Sequence, residues 1–271
     1  MDALRGIEIA RAVDGKTVIA GGEAIPGEGR VAALFLTQFG DFDSWELAQR
    51  ATDDLGTLRE ANVRVVAIGI GSVDAAKEFA KRTNFPLENL YADVDAKCHA
   101  ALGFAPGMGR KGGEFEWIED KMPFVNGYAK LLLMCAGIGS PGTLPAVFGG
   151  YFGSKYKDEI FREGSNVDVP TIRKAMKLTL GDGYLRPFEL ATLRLNNMIQ
   201  ILGNWEALAP TDSELLVQRG GGFLLPPPTL LLVVQRRVAR RVVLRRVVPW
   251  LVVQRRVARR VVLRRAALWL V

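Results

Sequence analysis

The run Val31-Ala32-Ala33-Leu34-Phe35-Leu36-Thr37-Gln38-Phe39-Gly40-Asp41-Phe42-Asp43-Ser44-Trp45-Glu46 passes from an unbroken apolar stretch into the opening of a helix. Its first six residues have the composition of a buried strand. Asp43 followed three residues later by Glu46 has capping-box spacing, in which each can satisfy a free backbone N–H at a helix start. Leu47, Ala51, Leu55 and Leu58 then keep an apolar face, which predicts a helix of about four turns. A second buried strand is expected over residues 63–70, and Gly71-Ser72 opens another helix along Ala75, Ala76, Phe79 and Ala80. Upstream, residues 5–20 read as a hairpin turning at Asp14-Gly15, followed by a loop over 21–29. Downstream come a short strand at Leu90-Tyr91, a helix over 96–102 and an irregular inserted loop over 105–123. In that loop Lys111 precedes Gly112-Gly113 and not the Lys-Ser/Thr pair of a phosphate-binding loop, so it reads as solvated.

This strand–helix–strand–helix order resembles the thioredoxin fold. Residues 34–46 are similar to the active-site strand and helix of peroxiredoxin-like proteins of the AhpC/TSA superfamily. Further resemblance lies in Phe79-Ala80-Lys81-Arg82-Thr83-Asn84-Phe85-Pro86, in Tyr91-Ala92-Asp93 and in Ala100-Ala101-Leu102-Gly103-Phe104, and it spans roughly residues 5–224. In relatives that keep a redox dithiol, a Cys-x-x-Cys follows a Phe-Gly pair. Here the pair is Phe39-Gly40, and the two thiol positions read Asp41 and Ser44. Peroxide reduction needs a thiolate whose pKa is lowered at a helix N-terminus. A serine hydroxyl is not ionised at neutral pH without a neighbouring base and cannot cycle through a sulfenic acid. Asp41, Asp43 and Ser44 are therefore read either as helix caps or as a repurposed polar pocket.

The remaining thiols are Cys98 and Cys135, and two cysteines with one histidine fit a reducing compartment and suggest no zinc site. Cys98 and His99 are adjacent, and helix neighbours point ~100° apart, so they cannot form an activated Cys–His pair. Cys135 lies in an apolar run and reads as a buried small hydrophobe. That run leads into Gly137-Ile138-Gly139-Ser140-Pro141-Gly142, formally a dinucleotide-binding pattern. The motif works only where a strand turns into a helix N-terminus, and Pro141, Pro145 and Gly149-Gly150 oppose such a helix. No cofactor and no metal are expected. The same stretch resembles a segment of cyanobacterial and plastid members of the group, which implies a chloroplast location, in the stroma or at the thylakoid surface.

Residues 187–207 carry the strongest helical pattern, with Pro187 at the first position and Phe188, Ala191, Leu195, Met198 and Leu202 on one face. Asn196 and Asn197 read either as solvated or as contacts for a partner, with solvation the commoner case, and residues 215–223 as a closing strand with a tight turn at Gly220-Gly221-Gly222. The net charge of +7 belongs to the C-terminus: residues 226–271 hold 12 arginines and no acidic residue, leaving 24 basic against 29 acidic residues upstream. The body thus has no nucleic-acid footprint. Leu232-Val233-Val234-Gln235-Arg236-Arg237-Val238-Ala239-Arg240-Arg241-Val242-Val243-Leu244-Arg245-Arg246 repeats identically nineteen positions later. This tail is read as a low-complexity or out-of-frame extension, or as an arm for anionic membrane or RNA.

Together these features lead to an α/β thioredoxin-like domain over 1–225, with a central sheet flanked by helices and an unstructured basic tail over 226–271. A binding or assembly protein with an unidentified protein partner, a pseudoenzyme of its fold, is the function expected. The alternative is a thiol-dependent antioxidant oxidoreductase working through Cys98 or Cys135.

Overall fold

The opening apolar run is an interior strand of a seven-stranded sheet in the computed structural model of the protein, which describes residues 2–122, 124–135, 178, 196–225 and 232–234. In chain order the strands are β1 (Glu8–Arg11), β2 (Thr17–Ile19), β3 (Arg30–Gln38), β4 (Val63–Ile70), β5 (Leu90–Ala92), β6 (Gly221–Leu225) and β7 (Leu232–Val234). Their order across the sheet is β2-β1-β5-β4-β3-β6-β7. β3 runs parallel to β4, and β4 parallel to β5, each pair joined by a helical crossover. The hairpin of β1 and β2 packs antiparallel onto β5, and β6 and β7 extend the other side antiparallel. This is the thioredoxin-like α/β architecture, a sheet with helices against it.

β3 and β4 read as continuous apolar runs because both their faces are covered. Leu34, Leu36, Val65 and Ala67 meet Trp45, Ala48, Phe79 and other residues of α1 (Phe42–Glu60) and α2 (Val73–Thr83). Val31, Ala33, Phe35, Val66 and Ile68 face Leu4, Ile25, Cys98 and Phe104 on the opposite side. Phe35, Phe39 and Trp45 are at most 2% exposed, and burial of each contributes about 2–3 kcal/mol. α2 starts as its sequence directs, with the Ser72 hydroxyl accepting from the Ala75 N–H at 3.1 Å.

Several expectations are corrected. α1 begins two residues earlier than the Asp43–Glu46 spacing implied: Asp41 is its N-cap, and Asp43 lies inside the first turn. Leu47 and Leu55 are half-buried, and the covered face runs through Trp45, Ala48, Ala51 and Leu58. The segment 105–123 contains a short helix, α4 (Trp117–Lys121), after α3 (Lys97–Ala101). The apolar run before Gly137 is helical, α5 (Gly127–Cys135), so the strand that a dinucleotide motif requires is absent there. Gly137–Gly142 itself lies outside the described residues.

Residues 196–203 are helical and continue past Asn204 into a short helix, Trp205–Leu208. The face expected of this segment is rotated: Leu202 is exposed, while Ile201 and Asn197 are buried. Asn197 is not solvated but exchanges two hydrogen bonds with Gln49 of α1, at 3.1 and 2.9 Å. Residues 187–195 lie outside the described residues. The segment 213–217 is a 3₁₀ turn, and Gly221 and Gly222 sit within β6 and not in a turn. Close approach explains the glycines: a Cβ on Gly220 would fall 2.3 Å from the Phe35 carbonyl oxygen, and one on Gly221 2.5 Å from the Phe104 ring. Leu232–Val234, inside the stretch expected to be unstructured, form β7 against β6, and the remainder of 226–271 lies outside the described residues.

Candidate functional site

The C-terminal end of β3 carries the site. Its pairing with β4 is regular up to Phe35 opposite Ile68 and resumes at Gln38 opposite Ile70, so the strand bulges over Leu36 and Thr37. The bulge frees the Leu36 carbonyl, which accepts from Nε2 of the buried His99 ring at 2.7 Å. Gln38 folds back so that its Oε1 accepts from the Gly40 N–H at 2.6 Å, and the Trp45 indole N–H donates to the Phe39 carbonyl at 2.6 Å. These bonds fix the Phe39-Gly40 corner and aim the start of α1 at the end of the sheet.

At that corner Thr37, Asp41 and Ser44 form one hydrogen-bonded cluster. The Thr37 hydroxyl donates to Asp41 Oδ2 at 2.6 Å and lies 2.6 Å from the Ser44 hydroxyl. Having one proton, Thr37 gives it to Asp41 and accepts from Ser44, so the relay runs Ser44 to Thr37 to Asp41. Asp41 also caps the helix by accepting from the Ser44 N–H at 3.4 Å. Burial, and next the charge of Asp43, push the Asp41 carboxyl up from its ordinary 3.8 to about 6. The Thr37 and Ser44 bonds and the Arg219 guanidinium oppose that rise without cancelling it. Arg219 arrives from the segment before β6, where its Nη2 stands 3.4 Å from Glu114 Oε1 and its Nε has no partner among the described residues.

The structure thus brings the expected positions Asp41 and Ser44 together, and it leaves the thiols elsewhere. Cys98 is fully buried at the second residue of α3, on the opposite face of the sheet among Phe35 and Phe104. Its backbone N–H donates to Asp93 at 2.7 Å, and burial together with the Asp93 charge pushes its thiol well above the ordinary range. Such a thiol is not nucleophilic at neutral pH. His99 does not activate it, because its ring is held by Leu36 and stands 4.0 Å from Asp93 through Nδ1. Burial would raise the Asp93 carboxyl, but His99 and the N–H groups of Cys98 and Lys97 hold it below the ordinary range. Cys135 ends α5, and its side chain lies outside the described residues. Among the described residues no three of His, Cys, Asp and Glu converge as a metal-binding set.

Thr37 and Arg219 were not singled out from the sequence. A hydroxyl at a strand end four residues before an Asp carries a weak signal for Thr37. Arg219 has none, because only the β3–β6 pairing brings it to Asp41. No curated protein matches the chain. A family model described as AhpC/TSA antioxidant enzyme matches residues 51–233, beginning inside α1 and ending in β7. That match covers more than half of the chain, so the protein belongs to the AhpC/TSA antioxidant enzyme family; Thr37, Asp41 and Ser44 precede the matched residues.

Proposed function

We propose that this AhpC/TSA-family protein has lost peroxidase chemistry and uses its thioredoxin-like scaffold as a binding or assembly protein. The observation that carries the reading is the Thr37–Asp41–Ser44 cluster at the start of α1, where the family resemblance calls for a redox dithiol. Reduction of a peroxide transfers an oxygen to a thiolate sulfur, giving a sulfenic acid. A carboxylate and two hydroxyls tied into one relay have no equivalent step. No cysteine precedes Cys98, and Cys98 is an inert buried thiol.

The test is a coupled assay of hydrogen peroxide turnover with a thioredoxin reducing system. No turnover above the uncatalysed rate is expected. Turnover that disappears in Cys98→Ser or in Cys135→Ser would overturn the reading and establish a thiol-dependent oxidoreductase. We further infer a protein partner, which follows from the missing thiols, and a chloroplast location, which rests on resemblance to the cyanobacterial and plastid members. Affinity capture from isolated chloroplasts and the position of a fluorescent fusion of the full chain in a photosynthetic cell test these two inferences.

A further inference from the structure

The edge of the sheet at β6 has one place for a strand and two segments of the chain able to fill it. β7 sits there with Leu224 opposite Leu232, Phe223 opposite Val233 and Gly222 opposite Val234. Residues 232–246 recur unchanged as residues 251–265, so Leu251-Val252-Val253 has the sequence of the strand and is followed by the same twelve residues. Segments of identical sequence make identical bonds in the same register, and what separates the two copies at β6 is the tether. The first copy returns to the edge over residues 226–231, about six residues, and the second over residues 226–250, about 25. The chance of closing a flexible loop falls with roughly the three-halves power of its length, which favours the first copy about eightfold. Pro226, Pro227 and Pro228 belong to both tethers. Pro249 stands two residues before Leu251, outside the paired positions, and removes no ladder N–H.

An eightfold bias leaves the second copy in place in about a tenth of the molecules. We propose that β6 accepts either copy, with Leu251–Val253 exchanging for Leu232–Val234 at the same three positions opposite Gly222, Phe223 and Leu224. A bare strand edge is a template for pairing with other chains, and a second donor on the same chain shortens the time for which β6 is uncovered. The exchange also moves Arg236, Arg237, Arg240, Arg241, Arg245 and Arg246 from the chain that follows the strand to the tether that precedes it.

Disulfide trapping in the full chain is the test, because residues directly opposite in antiparallel strands lie within disulfide reach. Leu224→Cys is combined in turn with Leu232→Cys, Leu251→Cys and Leu244→Cys, and the bonds formed under oxidised glutathione are located by mass spectrometry. The bond from position 224 to 232 should form fastest, and that to 251 about eightfold more slowly and within one chain. The bond to 244 should be slowest, although its tether is shorter than that of 251. Val233→Pro with Val234→Pro removes a ladder N–H from the first copy and should speed the bond to 251 severalfold. A bond to 251 that forms no faster than the one to 244, that ignores the prolines, or that joins only separate chains would overturn the proposal. Amide hydrogen exchange at residues 222–224, with Leu224 intact, gives a second reading. The two prolines in the first copy should lower protection roughly tenfold, and Val252→Pro with Val253→Pro added should abolish what remains. Equal protection in the two sets of variants would overturn the proposal as well.

Discussion

Replacing Asp41 by asparagine should stabilise the protein at neutral pH and leave it unchanged in acid. The carboxyl titrates near 6 in the fold, because burial and the Asp43 charge disfavour its ionised form, against an ordinary 3.8. A folded-state value above the unfolded one means that the native protein binds the extra proton between those limits. The stability it supports is complete below about pH 4 and is lost as pH rises through 6. At about 1.4 kcal/mol per pH unit the loss reaches about 3 kcal/mol, and water at the half-buried carboxyl reduces it. Asparagine keeps the oxygen that accepts from Thr37 and from the Ser44 N–H, and it caps a helix as well as aspartate does. It gives up the attraction of an ionised carboxylate to the α1 N-terminus, about 0.3–1 kcal/mol.

The balance is a net gain of about 1–2 kcal/mol at pH 7.5. For a urea slope of about 2 kcal/mol per molar this is a midpoint shift of roughly 0.5–1 M. The gain should shrink steadily as pH falls and be nearly absent at pH 4, where the parent carboxyl is protonated in the fold. Urea denaturation of both proteins at pH 4, 6 and 7.5 provides the measurement. A difference that does not vary with pH refutes the reasoning, because it would mean that Asp41 titrates alike in folded and unfolded chains. A loss of stability in the variant at pH 7.5 would mean that the attraction of Arg219 and the helix dipole outweighs burial.

Thr37→Val removes both 2.6 Å contacts of the relay and should cost about 1.5–3 kcal/mol at pH 7.5, while raising the Asp41 titration further. Carbon-13 titration of the Asp41 carboxyl, alongside denaturation of Thr37→Val and Thr37→Ser, measures both effects, and only the serine variant should retain the parent behaviour. Truncation after residue 225 removes β7 and leaves β6 as a bare edge, whereas truncation after residue 234 retains the three pairs Gly222–Val234, Phe223–Val233 and Leu224–Leu232. The shorter chain should melt several degrees lower and aggregate more readily, and equal melting of the two would show that β7 adds nothing to the sheet.

The sequence announces β3, β4 and α2 because their signals are local. Strands covered on both faces become apolar runs, and Ser72 caps α2 within three residues of its own position. The start of α1 was harder, since Asp41 and Asp43 are chemically equal candidates two positions apart. The bulge at Leu36 and Thr37 selects between them by setting where the chain turns. The buried Asn197 pair with Gln49 is invisible locally, because two residues 148 positions apart satisfy each other only after folding. Glycines 220 and 221 mislead for a related reason. Their lack of a side chain answers the approach of Phe35 and Phe104, a tertiary demand that imitates a turn signal. The candidate site was half legible: Asp41 and Ser44 stand where an apolar strand runs into a helix start, while Thr37 and Arg219 reach them through a strand irregularity and a long-range strand pairing.

An aspartate whose carboxyl burial holds above its ordinary range is an odd choice for a helix cap, since serine or asparagine caps equally well without a buried charge. Position 41 has therefore not simply been filled by the cap the fold prefers. Where a titratable side chain is held off its ordinary pKa at the end of a sheet and the start of a helix, the stability given up is commonly tied to what the site binds. Asp41 with Thr37, Ser44 and Arg219 offers a carboxyl that changes protonation near pH 6, two hydroxyls and a guanidinium with an unpartnered nitrogen. That set can donate to and accept from a polar partner while transferring no electrons. Stabilisation by Asp41→Asn together with loss of partner capture would separate the two roles, showing that residue 41 serves recognition at the expense of the fold.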